Sequence, residues 1–288
     1  MDRIKKLIPK KLKRLIFPLK IRKAFTSLFY KTAILTKPQF EGWGMSSKNK
    51  PPSLFEEPFG KSFANDNNEI IELIKDGDFK LSQFGSIENQ LENLEILQWR
   101  HYVIQSTLKL QIERALSNQK EIYISEFGVC DGLTAWYALK LLDRNKINFE
   151  FNLFDAWAGM RSKDLYKSES TRVGDYDYLE IDNTKKNLAQ FKKNCNWIKG
   201  YLPETLPSLG NTKKLSWIHI DLNSAKLTVD VLNHYLEFLD SGSLVILDDY
   251  GHIGFSDTRK SVDLWIEKKS GKVYSIISPT GQGIIFWK

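Results

Sequence analysis

The sequence predicts an α/β fold: a seven-stranded, mostly parallel, doubly wound sheet preceded by a basic helical extension. Three observations carry this. From residue 121 onward, short apolar runs alternate with helical stretches, the form taken by parallel strands and their crossover helices. The first run, Ile122–Phe127, passes through Gly128 and Gly132 into a helical pattern of Leu133, Trp136, Tyr137, Leu139, Leu141 and Leu142, which reads as strand, glycine turn, helix. Three of the runs end in aspartate, at Asp155, at Asp221 and at Asp248-Asp249, so acidic side chains gather at the strand ends, where open α/β sheets bind ligands.

The elements justify themselves in order. Residues 1–35 set Ile4, Leu7, Ile8, Leu12, Leu15, Ile16 and Leu19 among Lys and Arg, with Pro9 and Pro18 interrupting any single long helix. No apolar run there approaches the ~20 residues that span a bilayer, nor the apolar length of a signal peptide. Two readings stay open for this head, an amphipathic segment resting on an anionic membrane surface at the cytoplasmic face and a basic arm used in a homo-oligomer. Residues 1–50 carry 14 Lys/Arg against 2 Asp/Glu, whereas the remainder carries 28 against 33. The basicity therefore belongs to the head, and the body has no charge excess suited to nucleic acid. Two cysteines, Cys130 and Cys195, make neither a disulfide framework nor a zinc pattern and fit a reducing cytosol.

Residues 36–84 read as an irregular Pro/Gly/Asn-rich linker with one short helix at 69–76, closed by Asp76-Gly77-Asp78. Residues 87–117 form a helical cover with apolar side chains at Leu91, Leu94, Leu97, Val103, Ile104, Leu108, Leu110, Ile112 and Leu116. Within it, Trp99-Arg100-His101-Tyr102 reads as helix packing with a solvated Arg100, against the alternative that it reaches a cleft. The strands expected are Ile122–Phe127, Phe149–Phe154, Asn196–Ile198, Trp217–Ile220, Ser243–Leu247, Val273–Ile277 and Ile284–Trp287. A polar insertion follows Asp155 and runs to Asp182, and loops of that length beside a strand's carboxyl end are usually functional.

The turn after the first strand excludes one ligand class. A dinucleotide fingerprint needs G-x-G-x-x-G, and Cys130 stands at the middle glycine. Glycines still admit close backbone approach by a nucleoside, and Asp155, about twenty residues on, is placed either to accept from ribose hydroxyls or to cap a turn. At the other strand ends, Asp221, Asp248 and Asp249 converge if their strands are neighbours. A divalent cation such as Mg²⁺ relieves their repulsion; alternatively one Asp contacts the cofactor, one caps a helix and one pairs with Arg or Lys. His219 alternates with Asp221 on one strand and reads as a core histidine, while His252, in the loop beyond Asp249, is better placed as a general base.

The spacing Glu126-x-Gly128-x-x-x-Gly132 resembles motif I of class I S-adenosylmethionine (SAM) methyltransferases, which have a Rossmann-like fold. More of the chain, over residues 85–288, resembles the macrocin-O-methyltransferase family and related sugar methyltransferases of polysaccharide gene clusters. The matching pieces are Glu126-Phe127-Gly128-Val129 with Gly132, Phe154-Asp155-Ala156-Trp157-Ala158-Gly159, Gly174-Asp175-Tyr176, Gly200–Pro207, Ile220-Asp221-Leu222-Asn223, Asp248-Asp249-Tyr250-Gly251 and Pro279-Thr280-Gly281-Gln282-Gly283. The resemblance implies that Glu126, Gly128 and Gly132 face SAM, that Asp155 meets its ribose, and that Asp221, Asp248 and Asp249 hold the metal. It implies methyl transfer to a sugar or glycan hydroxyl; the catalytic candidates are Asp249 and, from its loop position, His252. A catalytically silent SAM-binding scaffold and a metal-dependent phenol methyltransferase are the alternatives. Asn223-Ser224-Ala225-Lys226 departs from the family, which often has a second aspartate and a tyrosine there.

Overall fold

The computed structural model describes residues 58–288 apart from residues 119, 210–213 and 279. The basic extension 1–35 and residues 36–57 of the linker lie outside the described residues. The strands are Ile122–Phe127 (β1), Phe149–Asp155 (β2), Cys195–Lys199 (β3), Leu215–Ile220 (β4), Leu239–Leu247 (β5), Val273–Ile277 (β6) and Gly283–Trp287 (β7). They hydrogen-bond in the order β3-β2-β1-β4-β5-β7-β6. The neighbours from β3 through β5 are parallel, and β7 runs antiparallel to both β5 and β6. All seven expected strands are present. Their apolar runs are short and bounded by turn residues, and β1, β4 and the carboxyl half of β5 are buried on both faces, whereas β3 and β6 at the sheet's edges are largely exposed.

The helices are Pro58–Lys75 (α1), Ile87–Asn118 (α2), Leu133–Arg144 (α3), Ile181–Asn187 (α4), Ala225–Tyr235 (α5) and Ser256–Lys268 (α6). α5 and α6 pack together and cover one face of the sheet, with Val231, Tyr235, Val262 and Trp265 meeting Ile218 and Val245 in one buried cluster. α2 and α3 pack together on the other side. α2 buries Leu94, His101, Ile104, Leu108, Gln111 and Ala115, a stripe at helical spacing. The polar members of that stripe are cross-links. Gln105 donates to Asp66 and to the Tyr137 carbonyl, Thr107 accepts from Trp217 Nε1, and Gln111 donates to the Gly242 carbonyl. No helix among the described residues is long and apolar enough to cross a membrane.

Three expectations differ from the structure. The irregular linker gives way to α1 at residue 58, well before residue 69, because Phe63, Ile70 and Ile74 share a buried stripe while Asp66 and Asn67 bond to Gln105, Arg144 and Tyr137. The Asn-rich stretch is helical through tertiary partners, not propensity. Leu110 and Leu116, counted as cover, are exposed, since the buried stripe of α2 runs through other positions. Arg100, expected in solvent, is only 15% exposed and faces the strand ends.

Candidate active site

β1 and β4 are neighbours, and the chain leaves β1 towards β2 on one side while β4 leads to β5 on the other. This topological switch opens a crevice at the carboxyl edge. The turn of residues 128–132 lies there. Gly128 has φ +88°, and a Cβ on it would stand 1.9 Å from the Asp221 carbonyl oxygen, so only glycine lets β1 turn this close to the end of β4. Gly132, at φ +86°, precedes α3 and faces Leu188 and Thr184. Asp155, at the end of β2, accepts from the amides of Val129, Cys130 and Trp157 at 2.8, 2.8 and 2.7 Å. It therefore fixes the shape of the turn. Burial, then the charges of Asp131 and Asp155, push the Cys130 thiol well up, which disfavours its thiolate.

A second layer straps the turn. Asp131, buried, accepts from the Ser82 amide at 2.6 Å, the Ser82 hydroxyl at 3.0 Å and Asn183 Nδ2 at 2.7 Å. Asn187 bonds both to Lys80 and to the Asp131 carbonyl. Residues 80–82, the turn and α4 are thus one polar unit. Asp131→Ala leaves these donors without their acceptor, and a loss of about 1–3 kcal/mol is expected from denaturant midpoints, with Asp131→Asn losing less. An unchanged midpoint would show that solvent replaces the strap without cost.

The acidic side chains converge as the strand order dictates. One ligand oxygen from each of Asp221, Asp248 and Asp249 lies within 4.8 Å of the others. Asp221 pairs with Arg100, and Asp248 Oδ1 receives Gln282 Nε2 at 2.8 Å and stands 2.6 Å from Arg100 Nε. Beneath them Glu126 and His219, opposite one another in the register of β1 and β4, meet at 3.0 Å and are fully buried. His219 Nε2 has no hydrogen-bond partner and stands 3.9 Å from Asp248, and Glu126 Oε2 is likewise buried without a partner.

Charge in this cluster does not balance. Burial disfavours a charged His219, but Asp248 and Glu126 outweigh burial and raise its pKa to about 9. Burial also opposes ionisation of Asp248, yet Arg100, His219 and Gln282 hold it at about 2. For Asp249, burial and then the charges of Asp221 and Asp248 outweigh the opposing charges of Arg100 and Arg172 and drive its pKa well up. With Glu126, four carboxylates share two cationic side chains, Arg100 and His219.

The insertion after β2 is anchored by motifs whose roles the sequence did not reveal. The Gly200–Pro207 segment holds its root: Tyr201 donates to the Gly159 carbonyl, and Arg161 bonds to Leu202 and Glu204 while stacked 3.8 Å over the Tyr201 ring. Asn223 joins three elements, donating its amide to Asp249 at 3.2 Å and Nδ2 to the Tyr176 hydroxyl at 2.9 Å, and accepting Arg172 at its carbonyl. Ser224 caps α5. The departure from the family pattern at 223–224 is thus a junction and a helix cap. Cys130, Trp157, Tyr176 and Asn223 all have positive φ, and strain of this kind collects where surrounding structure enforces it.

The structure brings Asp221, Asp248, Asp249 and the glycine turn together and sets Glu126 beneath them. His252 caps the turn Ile253–Phe255. Its Nδ1 accepts from the Gly254 amide at 3.0 Å, which puts the proton of the neutral ring on Nε2. Gln282, Tyr176 and Asn223 are site residues to which sequence reading gave no role, and Arg100 is one it placed in solvent in preference to a cleft. All four lie in stretches already singled out.

A family model described as a methyltransferase domain matches residues 125–250, from the threshold of the turn to the residue after the acid pair. No curated protein matches the chain. Among solved structures, the O-methyltransferase NovP is similar at 17% identity and TM-score 0.56, over 66% of this chain and 79% of that one. CalS11, a calicheamicin methyltransferase, is similar at 15% identity and TM-score 0.52, over 85% of this chain and 99% of its own. Residues 125–250 thus match a methyltransferase domain, set in the Rossmann-like fold of the class I methyltransferases.

Proposed function

We propose that the chain transfers a methyl group from SAM to a hydroxyl oxygen of a sugar or glycan, with a divalent cation held by Asp221, Asp248 and Asp249. The observation that carries this reading is the convergence of those carboxylates within 4.8 Å at the switch point, with the Asp221 backbone packed against Gly128 of the turn. The donor set is all oxygen and short of positive charge, which suits a hard ion such as Mg²⁺. Bound there, the ion supplies Lewis-acid polarisation and orientation of the acceptor hydroxyl. The sugar class rests on the sequence resemblance, and the O-methyltransferase fold of NovP agrees with an oxygen acceptor.

The chain's own residues supply the rest. The Gly128–Gly132 turn, shaped by Asp155, admits the cofactor against the backbone, and the unpartnered Glu126 Oε2 offers it a buried acceptor. The methyl carbon leaves sulfur with the bonding pair remaining on sulfur, and the hydroxyl oxygen forms the new bond in line. The hydroxyl proton passes to Asp249, which lies with the other two carboxylates at the acceptor side. Tyr176 and Asn223 wall the acceptor side. No covalent protein intermediate is needed.

Labelled SAM, offered with nucleotide sugars, lipid-linked sugars, polysaccharide and a catechol, tests the reading. Label should enter a sugar class and vanish with chelator. Label in catechol alone overturns the acceptor, and full transfer in chelator with metal content checked overturns the ion. For the basic head, the proposed contact with anionic lipid is tested by vesicle sedimentation, which should weaken with salt.

A further inference from the structure

Arg100 has no place in that reaction, yet it is the cation nearest the acidic cluster. It comes from α2, on the face that carries His101 and Ile104 toward the sheet, and its side chain is only 15% exposed. Nη2 donates to Asp221 Oδ2. Nε stands 2.6 Å from Asp248 Oδ1 yet makes no aligned hydrogen bond there, and is one of few buried side-chain nitrogens without one. On the reading of Asp221, Asp248 and Asp249 as a divalent-cation site, we propose that Arg100 is its resident counter-cation, which exchanges with the ion for the oxygens of Asp221 and Asp248.

Three features support exchange over a fixed ion pair. First, the ligand-bearing residues are held by other bonds too: Gln282 holds the Asp248 carboxylate, Asp249 receives the Asn223 amide, and the backbone of Asp221 is pinned by its amide's bond to the Phe127 carbonyl at 2.8 Å. The guanidinium supplies charge, and its departure leaves the ligands in place. Second, a single positive charge meets two of three carboxylates. A divalent ion meets all three with twice the charge, so it wins where it is present. Third, arginine stays charged at every relevant pH and therefore yields only by moving, on a side chain with several rotatable bonds. Without a tethered cation the empty cluster would be a set of buried like charges, each costly to keep. Arg100 keeps the site formed before the ion arrives.

Calorimetric titration of Mn²⁺ into the metal-free protein, with melting curves before and after, tests this in wild type, Arg100→Gln and Arg100→Lys. Removing a positive charge a few ångströms from the ion should tighten Mn²⁺ binding by Arg100→Gln at least about tenfold. The same variant should melt lower than wild type without metal and recover when Mn²⁺ is added. Arg100→Lys, a point charge without the planar fork, should fall between the two and gives the same comparison if Arg100→Gln does not fold. Mn²⁺ binding of unchanged or weaker affinity in the variants overturns the exchange alone. Failure of all three proteins to bind Mn²⁺, with SAM binding retained, overturns the divalent reading and the exchange with it.

Discussion

Gly128→Ala should abolish SAM binding and destabilise the protein by about 3 kcal/mol or more, the larger of two backbone effects expected at the turn. The added methyl would stand 1.9 Å from the Asp221 carbonyl oxygen, a backbone atom tied to β1 by its own amide, so no side chain can swing aside. The residue would also have to hold φ +88°, which costs an L-residue about 1–3 kcal/mol before any clash. Relief requires β1 and β4 to part at the switch point, which moves Asp221 and the turn together. Gly132→Val carries the same positive-φ strain, at +86°, but its neighbours at 3.0–3.2 Å are side-chain atoms of Leu188 and Thr184 and not backbone, so its effect on stability should be the smaller. Calorimetry against SAM and a denaturant melt separate the two effects. A folded Gly128→Ala protein that binds SAM as wild type does would remove the turn from the cofactor site.

Asp249→Asn should do the opposite to stability while removing activity. Its carboxyl titrates well above an unfolded aspartate because of burial and then the charges of Asp221 and Asp248. A raised folded-state pKa stabilises below the unfolded pKa, and that contribution is lost as pH climbs through the folded value. The neutral amide does not titrate, so the metal-free variant should gain on wild type as pH rises and match it in acid. Activity should fall roughly 10²–10⁴-fold through loss of the proton acceptor. Equal stability at every pH would mean Asp249 feels no uncompensated charge, and near-normal turnover would shift the base to another group.

Much of the fold was legible in the sequence because strands buried on both faces declare themselves as short apolar runs between turn residues. The site was legible as far as it sits at strand ends: Asp155, Asp221, Asp248 and Asp249 each follow a strand, so topology alone places them on one edge. Arg100 was not, since its partner Asp221 is 121 residues away and α2 carries other charged residues that face solvent. Asp155 illustrates a different limit. Ribose contact and turn capping make the same demand on sequence, an acid at the end of β2, and only the three amides around its oxygens show the cap. The early start of α1 was hidden because its asparagines favour turns until distant partners claim them.

The position of β7 bears on how the chain comes to fold as it is made. β5 pairs with β4 as soon as both exist, but its other edge, Leu244–Leu247, is satisfied only by β7, which is translated after α6 and β6 have gone by. Until then a nearly all-apolar strand presents an open edge to other nascent chains, the situation in which strand edges seed aggregation. Gln282, which steadies Asp248, arrives with the same segment. Ribosome stalling or truncation before Gly283 should therefore yield an insoluble product, whereas comparable loss at the β3 edge should leave the sheet's centre closed.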